Sequence, residues 1–151
     1  MEKCVKALPV MFGGVYAGAF YCFVDIRQSD ERAVNIIERV APSVVVTDEA
    51  NRERLERLMP DLEIYLVEEI TAESALMGAT VDDVLLARER ASFTDQMPLY
   101  VNFTSGSTGE PKGVVVGHAS VIDFIEVFTE TFGITDSDVI ANQAPDRKSV
   151  V

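Results

Sequence analysis

The chain has 151 residues, 48% of them apolar, which is enough to bury a core of one domain's size. Its 25 acidic residues outnumber 13 basic ones, and the formal charge of −12 argues against nucleic acid or an anionic membrane surface as a partner, since both require basic clusters. Two cysteines without metal-like spacing, and no apolar run long enough to span a bilayer, predict a cytoplasmic protein with free thiols.

The first half of the chain alternates short apolar runs with helical patterns. A strand is predicted over Phe20–Ile26. A helix follows, with Ser29 as its N-cap and acidic residues in its first turn, and Pro42 stops it. Before residue 71 the pattern then predicts a strand, a helix and a strand, at Ser43–Thr47, Asp48–Met59 and Leu62–Ile70.

The second half begins with a less regular stretch, Thr71–Gln96, which we interpret as a long connection with one short helix near Val81–Ala87. Two further strands, Pro98–Thr104 and Gly113–His118, flank a glycine-rich loop. A helix is predicted over His118–Phe132 and a last strand over Asp138–Pro145. The apolar stripe of that helix consists of Val121, Phe124, Ile125, Phe128 and Phe132. This alternation predicts an α/β fold with a mostly parallel sheet flanked by helices.

The loop between those two strands lies within the sequence TSGSTGEPKG, Thr104–Gly113. Glycines allow successive backbone N–H groups to point into one concavity, and such a concavity binds oxyanions. Hydroxyl donors and the ammonium group of Lys112 suit a phosphate further. The loop is therefore a candidate for binding the phosphates of a nucleotide.

Three other interpretations compete for this loop. In a P-loop alignment that starts at Gly106, Pro111 replaces the second glycine and Gly113 replaces the magnesium-binding hydroxyl. A strand pattern also follows Lys112, where a P-loop requires a helix. The dinucleotide pattern G-x-G-x-x-G is absent. A solvated hairpin linker without a binding role stays open as the simplest alternative.

The segment YVNFTSGSTGEPKGVVVGH, Tyr100–His118, resembles the phosphate-binding signature of the adenylate-forming, or AMP-binding, enzyme superfamily. That superfamily includes amino-acid adenylation domains, acyl- and aryl-CoA synthetases and luciferases. The resemblance extends upstream over Val15–Asp48, although Phe23 stands where proline is usual. Downstream, Asn142–Pro145 (NQAP) resembles amino-acid adenylating members, especially D-alanine–carrier-protein ligases.

The resemblance implies an ATP-dependent ligase that uses ATP and Mg²⁺ to convert an amino acid or another carboxylic acid into its adenylate. The acyl group would then pass to the phosphopantetheine thiol of a carrier protein; an acyl- or aryl-CoA synthetase, with CoA as acceptor, is the alternative. The residues that the resemblance assigns to the phosphates are Thr104, Ser105, Gly106, Ser107, Thr108, Gly109 and Lys112. Pro111 and Gly113 would shape the loop.

No catalytic residue and no metal ligand is assigned from the sequence. His118, the sole histidine, lies at a strand-to-helix junction, which favours capping or packing over a role as a base. Asp25 follows a buried-type strand, and a structural turn is the simpler interpretation.

Members of the superfamily run to several hundred residues, so residues 1–145 are expected to be part of its large N-terminal domain. The adenine-binding motif, the hinge and the small domain with the catalytic lysine have no counterpart in this sequence. Residues 146–151 depart from the family pattern and match a translated sequencing adapter, so we interpret them as a non-native tail. A truncated product without independent activity is the remaining alternative, and the isolated chain is expected not to form adenylates.

Overall fold

The computed structural model describes residues 6–25, 27–105 and 110–140. Within these ranges it has an α/β architecture, as the sequence predicts. The helices are α1 (Ala7–Tyr16), α2 (Asp30–Val40), α3 (Glu49–Leu58), α4 (Val67–Ile70), α5 (Glu73–Gly78), α6 (Asp83–Ser92) and α7 (His118–Phe132). The strands are β1 (Tyr21–Cys22), β2 (Val45–Thr47), β3 (Ile64–Leu66), β4 (Pro98–Ser105) and β5 (Pro111–Gly117).

Helix α2 begins where its capping residue predicts. The Ser29 side chain accepts a hydrogen bond from the Arg32 backbone N–H at 3.3 Å, which satisfies one of the first-turn donors. The helix ends before Ala41, whose φ of 48° is left-handed. Its buried residues, Ala33, Ile36 and Ile37, make α2 the main helical contributor to the core among the described residues.

An ion-pair network ties α2 to α3. The Asp30 carboxylate, in the first turn of α2, accepts hydrogen bonds from Arg54 Nε at 2.8 Å and Arg57 Nη2 at 3.2 Å. Both arginines belong to α3, whose own N-cap, Asp48, accepts from the Asn51 N–H at 3.1 Å. Hydrogen bonds from the two guanidinium groups hold the pKa of Asp30 below its ordinary value. The network therefore links the start of α2 to α3.

The described strands form two small sheets. Strands β2 and β3 pair in parallel, and so do β1 and β4, whereas β4 and β5 are antiparallel. The second sheet therefore has the order β1-β4-β5. The antiparallel pair follows from its short connection, because parallel neighbours need a long crossover. The prediction of a mostly parallel sheet thus holds for two of the three strand pairs, with the hairpin as the exception.

Several predicted bounds were wrong. Strand β1 covers two residues of the predicted strand Phe20–Ile26, since the chain turns at Asp25; Ile26 itself lies outside the described residues. The predicted strand Leu62–Ile70 is divided between β3 and α4. The predicted connection 71–96 contains two helices, α5 and α6, instead of one. Helix α5 was not predicted, and α6 runs beyond the predicted Val81–Ala87 to Ser92, a part that was missed because the apolar residues of α6 do not gather on one face.

Helix α7 has the predicted bounds, and it ends at Gly133, whose φ is +60°. Its apolar stripe is not covered by the described part of the chain: Phe124, Phe128 and Phe132 are exposed and contact one another. The buried residues instead lie in the region of α1, α2 and the β2–β3 sheet. They are Ala7, Ala33, Ile36, Ile37, Thr47, Leu66 and Val67; Pro111, at the start of β5, is also buried.

The predicted last strand, Asp138–Pro145, is not seen over residues 138–140, and the remainder lies outside the described residues together with 146–151. Across the described ranges, every helix is too short or too polar to cross a membrane.

Candidate phosphate-binding site

The candidate loop joins β4 to β5 in a β-hairpin. Ser105 pairs with Pro111 and Thr104 with Lys112 at the mouth of the hairpin. Of the seven predicted phosphate-binding residues, Thr104, Ser105 and Lys112 therefore lie together at the base of the loop. Gly106, Ser107, Thr108 and Gly109 lie outside the described residues. A strand rather than a helix follows Lys112, so the P-loop context is absent, as the sequence predicts.

The side chains of Thr104 and Lys112 project from the same face of the hairpin, because directly paired residues of antiparallel strands share a face. The Thr104 hydroxyl lies 3.5 Å from the Lys112 carbonyl oxygen, at the outer limit for a hydrogen bond. That weak contact leaves the hydroxyl able to turn toward a ligand. A hydroxyl donor and a positive charge therefore flank one opening.

Lys112 is exposed, and among the described residues its ammonium group forms no ion pair or hydrogen bond. This is notable in a chain with 25 acidic residues. Arg39, which also reaches the hairpin, pairs with Glu110. An ammonium group that no carboxylate neutralises can bind an anion from solution.

Gly113, in β5, leaves room for the Phe103 ring of the paired strand β4. A Cβ atom at this position would lie 3.2 Å from Cζ of Phe103 and 3.3 Å from Cγ1 of Val101. Phe103 is the direct cross-strand partner of Gly113, and its ring lies beside the position that a Cβ atom would take. Pro111, at the start of β5, is buried. Pro111 and Gly113, the two residues predicted to shape the loop, are the sequence neighbours of Lys112 on either side.

One residue at this site carries no recognisable signal in the sequence. Arg39, in the last turn of α2, donates a hydrogen bond from Nη1 to the Pro111 carbonyl oxygen at 2.6 Å. Its Nη2 atom lies 3.3 Å from Oε2 of Glu110. Together with Asn35 and Glu38, these residues line an open cleft of about 310 Å³ beside the hairpin. A contact across 72 sequence positions could not be found from local patterns.

His118 has the packing environment that its position predicts. It is the first residue of α7, and its ring meets the Phe93 ring edge-on, with 4.6 Å between centroids. The backbone N–H of His118 donates to the Met97 carbonyl at 3.2 Å. Its Nε2 atom is buried and finds no hydrogen-bond partner in the described part of the chain. These contacts hold the start of α7 against the segment that precedes β4.

Asp25 forms a local turn. Its Oδ1 atom accepts hydrogen bonds from the Arg27 backbone N–H at 2.9 Å and from Arg27 Nε at 3.0 Å. Its side chain is only 8% exposed, so the turn is partly buried. This is the structural role that the sequence predicts for Asp25.

In the described ranges, Cys22 is not in a disulfide, and no cluster of metal-binding side chains is found. Cys22 is a free thiol, and burial raises its pKa to about 11, so it is protonated at neutral pH; Cys4 lies outside those ranges. Within the same ranges, no three His, Cys, Asp or Glu side chains are placed to hold a metal ion together.

Comparison with known proteins covers nearly the whole chain. A family model described as AMP-binding enzyme matches residues 1–145. The chain is 33% identical over 136 residues to a D-alanine–D-alanyl carrier protein ligase of Staphylococcus aureus (strain JH9), with 89% of this chain and 25% of that protein covered. It is 31% identical over 138 residues to a linear gramicidin synthase of Brevibacillus parabrevis, with 89% and 2% covered.

Solved structures show the same fold. A malonyl-CoA ligase with methylmalonyl-CoA and AMP bound superposes with a TM-score of 0.69 at 22% identity. The match covers 89% of this chain and 26% of that one. The chain thus spans at most about a quarter of the length of these proteins.

Proposed function

The chain belongs to the AMP-binding enzyme family, and we propose that it is the phosphate-binding part of an ATP-dependent, adenylate-forming ligase. The observation that carries this proposal is the exposed Lys112 ammonium group, unpaired within the described ranges and opposite Thr104 at the mouth of the hairpin. A plain hairpin linker, the simplest alternative, gives no reason for a cation held at that point of an acidic chain.

In the proposed reaction a carboxylate oxygen attacks the α-phosphorus of ATP. A new O–P bond forms, the bond between the α-phosphorus and the bridging oxygen breaks, and pyrophosphate leaves with that bond's electron pair. The protein contributes positioning and electrostatic stabilisation of the leaving group. We assign the β- and γ-phosphates to Thr104, Ser105, Gly106, Ser107, Thr108, Gly109 and Lys112. Each hydrogen bond to a charged oxygen contributes about 1.5–3 kcal/mol.

For the substrate and acceptor we propose an amino acid and the phosphopantetheine thiol of a carrier protein. The names of the two curated relatives, a D-alanine–D-alanyl carrier protein ligase and a gramicidin synthase, support this choice. The NQAP segment, Asn142–Pro145, resembles the same group. CoA as the acceptor is the second candidate, and the malonyl-CoA ligase supports it through a shared fold.

The organisation of the parent enzyme belongs to the same proposal. Residues 1–145 would form part of its large N-terminal domain, and residues 146–151 would be foreign to it. ATP would be used with Mg²⁺. The enzyme would work in the cytoplasm.

ATP–pyrophosphate exchange in the natural full-length protein tests this function, with a panel of amino acids and other carboxylic acids as substrates. Lys112→Ala should slow exchange about 100-fold, as loss of a preorganised donor to transition-state charge does. Lys6→Ala, which removes the same charge just before α1, is the matched control and should exchange at the wild-type rate. Wild-type exchange by Lys112→Ala, at saturating and at limiting ATP, would refute the phosphate role.

A further inference from the structure

We propose that Arg39 is a positioning residue for the phosphate-binding hairpin, and that it sets the place of Lys112 from outside the loop. This inference rests on the proposed function, because it assigns to Arg39 an effect on ATP that is exerted through Lys112.

The hydrogen bond from Arg39 acts on the peptide group directly before Lys112. Nη1 donates to the Pro111 carbonyl oxygen at 2.6 Å, a short and partly buried contact. That carbonyl belongs to the planar peptide unit that ends at the Lys112 nitrogen. Pro111 has a fixed φ and no N–H, so the orientation of its carbonyl is the main freedom left at this position. Holding the carbonyl therefore orients the backbone from which the Lys112 side chain extends.

The second contact of Arg39 is with the carboxylate of Glu110, a negative charge next to the proposed phosphate site. Glu110 is adjacent to the loop, and its carboxylate would repel a bound triphosphate. Arg39 Nη2 lies 3.3 Å from Oε2 of Glu110 and draws this charge toward α2. A planar guanidinium can serve a carbonyl and a carboxylate at once, which an ammonium group cannot do with the same geometry.

Helix α2 provides a fixed base for this contact. Ile36 and Ile37, one turn or less before Arg39, are 1% and 5% exposed, so the last turn of α2 is anchored in the core. The helix ends at once, with Ala41 in the left-handed conformation. Arg39 therefore extends toward the hairpin from one of the best-packed elements of the described chain.

Stability alone does not explain the contact with Glu110. The two side chains are 51% and 73% exposed, and ion pairs with such exposure contribute little to folding. Their location at the end of the phosphate loop is what distinguishes them from an ordinary surface pair, such as Arg52 with Glu56 on α3 at 2.8 Å.

The test compares Arg39→Ala, Arg39→Lys and Arg52→Ala in the natural full-length protein by ATP–pyrophosphate exchange, with KM measured separately for ATP and for the carboxylic acid. Loss of one hydrogen bond to the hairpin should raise KM for ATP about tenfold in Arg39→Ala. In Arg39→Lys, KM for ATP should rise roughly threefold, because lysine keeps the positive charge but lacks the planar guanidinium that can donate to two acceptors at once. KM for the acid should not change, and Arg52→Ala, which loses an exposed arginine–carboxylate pair, should match the wild type.

Hydrogen exchange provides a readout independent of activity: the backbone amides of Lys112 and Gly113 should exchange faster in Arg39→Ala than in Arg52→Ala. Unchanged KM for ATP and unchanged amide exchange in Arg39→Ala would overturn the inference. If Arg39→Ala fails to fold, Arg39→Lys decides, and a wild-type KM for ATP in that variant overturns the inference.

Lys112→Ala separates this inference from the function on which it rests. If Lys112→Ala slows ATP–pyrophosphate exchange while Arg39→Ala leaves KM for ATP and the amide exchange unchanged, only the role of Arg39 is wrong. If Lys112→Ala has no effect on ATP, the phosphate role of the hairpin fails, and the positioning role fails with it.

Discussion

Helices α2 and α7 have similar sequence patterns and opposite environments. Each has an apolar stripe at helical spacing, and both are found where the sequence predicts them. Yet α2 buries three residues of its stripe, whereas Phe124, Phe128 and Phe132 of α7 remain exposed. A stripe therefore predicts that a helix forms and which side is apolar. It does not predict what packs against that side.

The difference extends to the strands beside each helix. The α2 region contains Leu66 and Val67, which are almost fully buried, and the ion pairs from Asp30 to α3. Strand β5, which leads into α7, exposes Val114 and Val115. Within the described ranges, the region around α2 thus has a core of its own, and the candidate phosphate-binding hairpin extends from a more open region. Arg39 links the two.

The largest effect on stability is expected from a matched pair of isoleucine-to-alanine substitutions in the 151-residue chain. Ile36→Ala on α2 removes a side chain that is 1% exposed and should lower the free energy of unfolding by about 2–4 kcal/mol. Ile125→Ala on α7, at 53% exposure, should lower it by less than about 1 kcal/mol. Urea denaturation measures both. Similar losses of unfolding free energy in the two variants would mean that α7 is packed as tightly as α2.

A second pair tests the close contact that the hairpin makes around Gly113. Gly113→Ala places a Cβ atom against Phe103 and Val101, and should destabilise the 151-residue chain by about 1–3 kcal/mol. Gly13→Ala in α1 meets no atom within 4 Å and should stabilise the helix by about 0.5–1 kcal/mol. Thermal unfolding distinguishes them, and a neutral Gly113→Ala would show that the Phe103 and Val101 side chains can shift at no cost.

The smallest effect concerns the ion pairs that hold α2. Because Arg54 and Arg57 lower the pKa of Asp30, its contribution to stability is present above the ordinary aspartate value of 3.8 and is lost as the pH falls below that value. Asp30→Asn should therefore lower the urea midpoint slightly at pH 7, and the difference from wild type should shrink in acid. A difference that is constant from pH 7 to pH 3 would rule out the charge as its origin.

The start and end signals of helices were the most predictable features. Ser29 caps α2, and Gly133 takes the left-handed conformation after α7, as their residue types indicate. Both depend on contacts within one helical turn. Helix α6 was predicted only as a short helix at Val81–Ala87, although Asp82 accepts from the Leu85 N–H at 2.9 Å. That cap was the available signal, but no apolar face reinforced it.

The sequence by itself determined the chemistry of the candidate loop: the glycines, hydroxyls and lysine at Thr104–Gly113, and the family that this pattern resembles. These are properties of neighbouring residues. Only the tertiary structure decided which apolar stripe is buried, and that Arg39 reaches Pro111. Such contacts join residues far apart in the chain, 72 positions in the case of Arg39, so they depend on how whole elements pack.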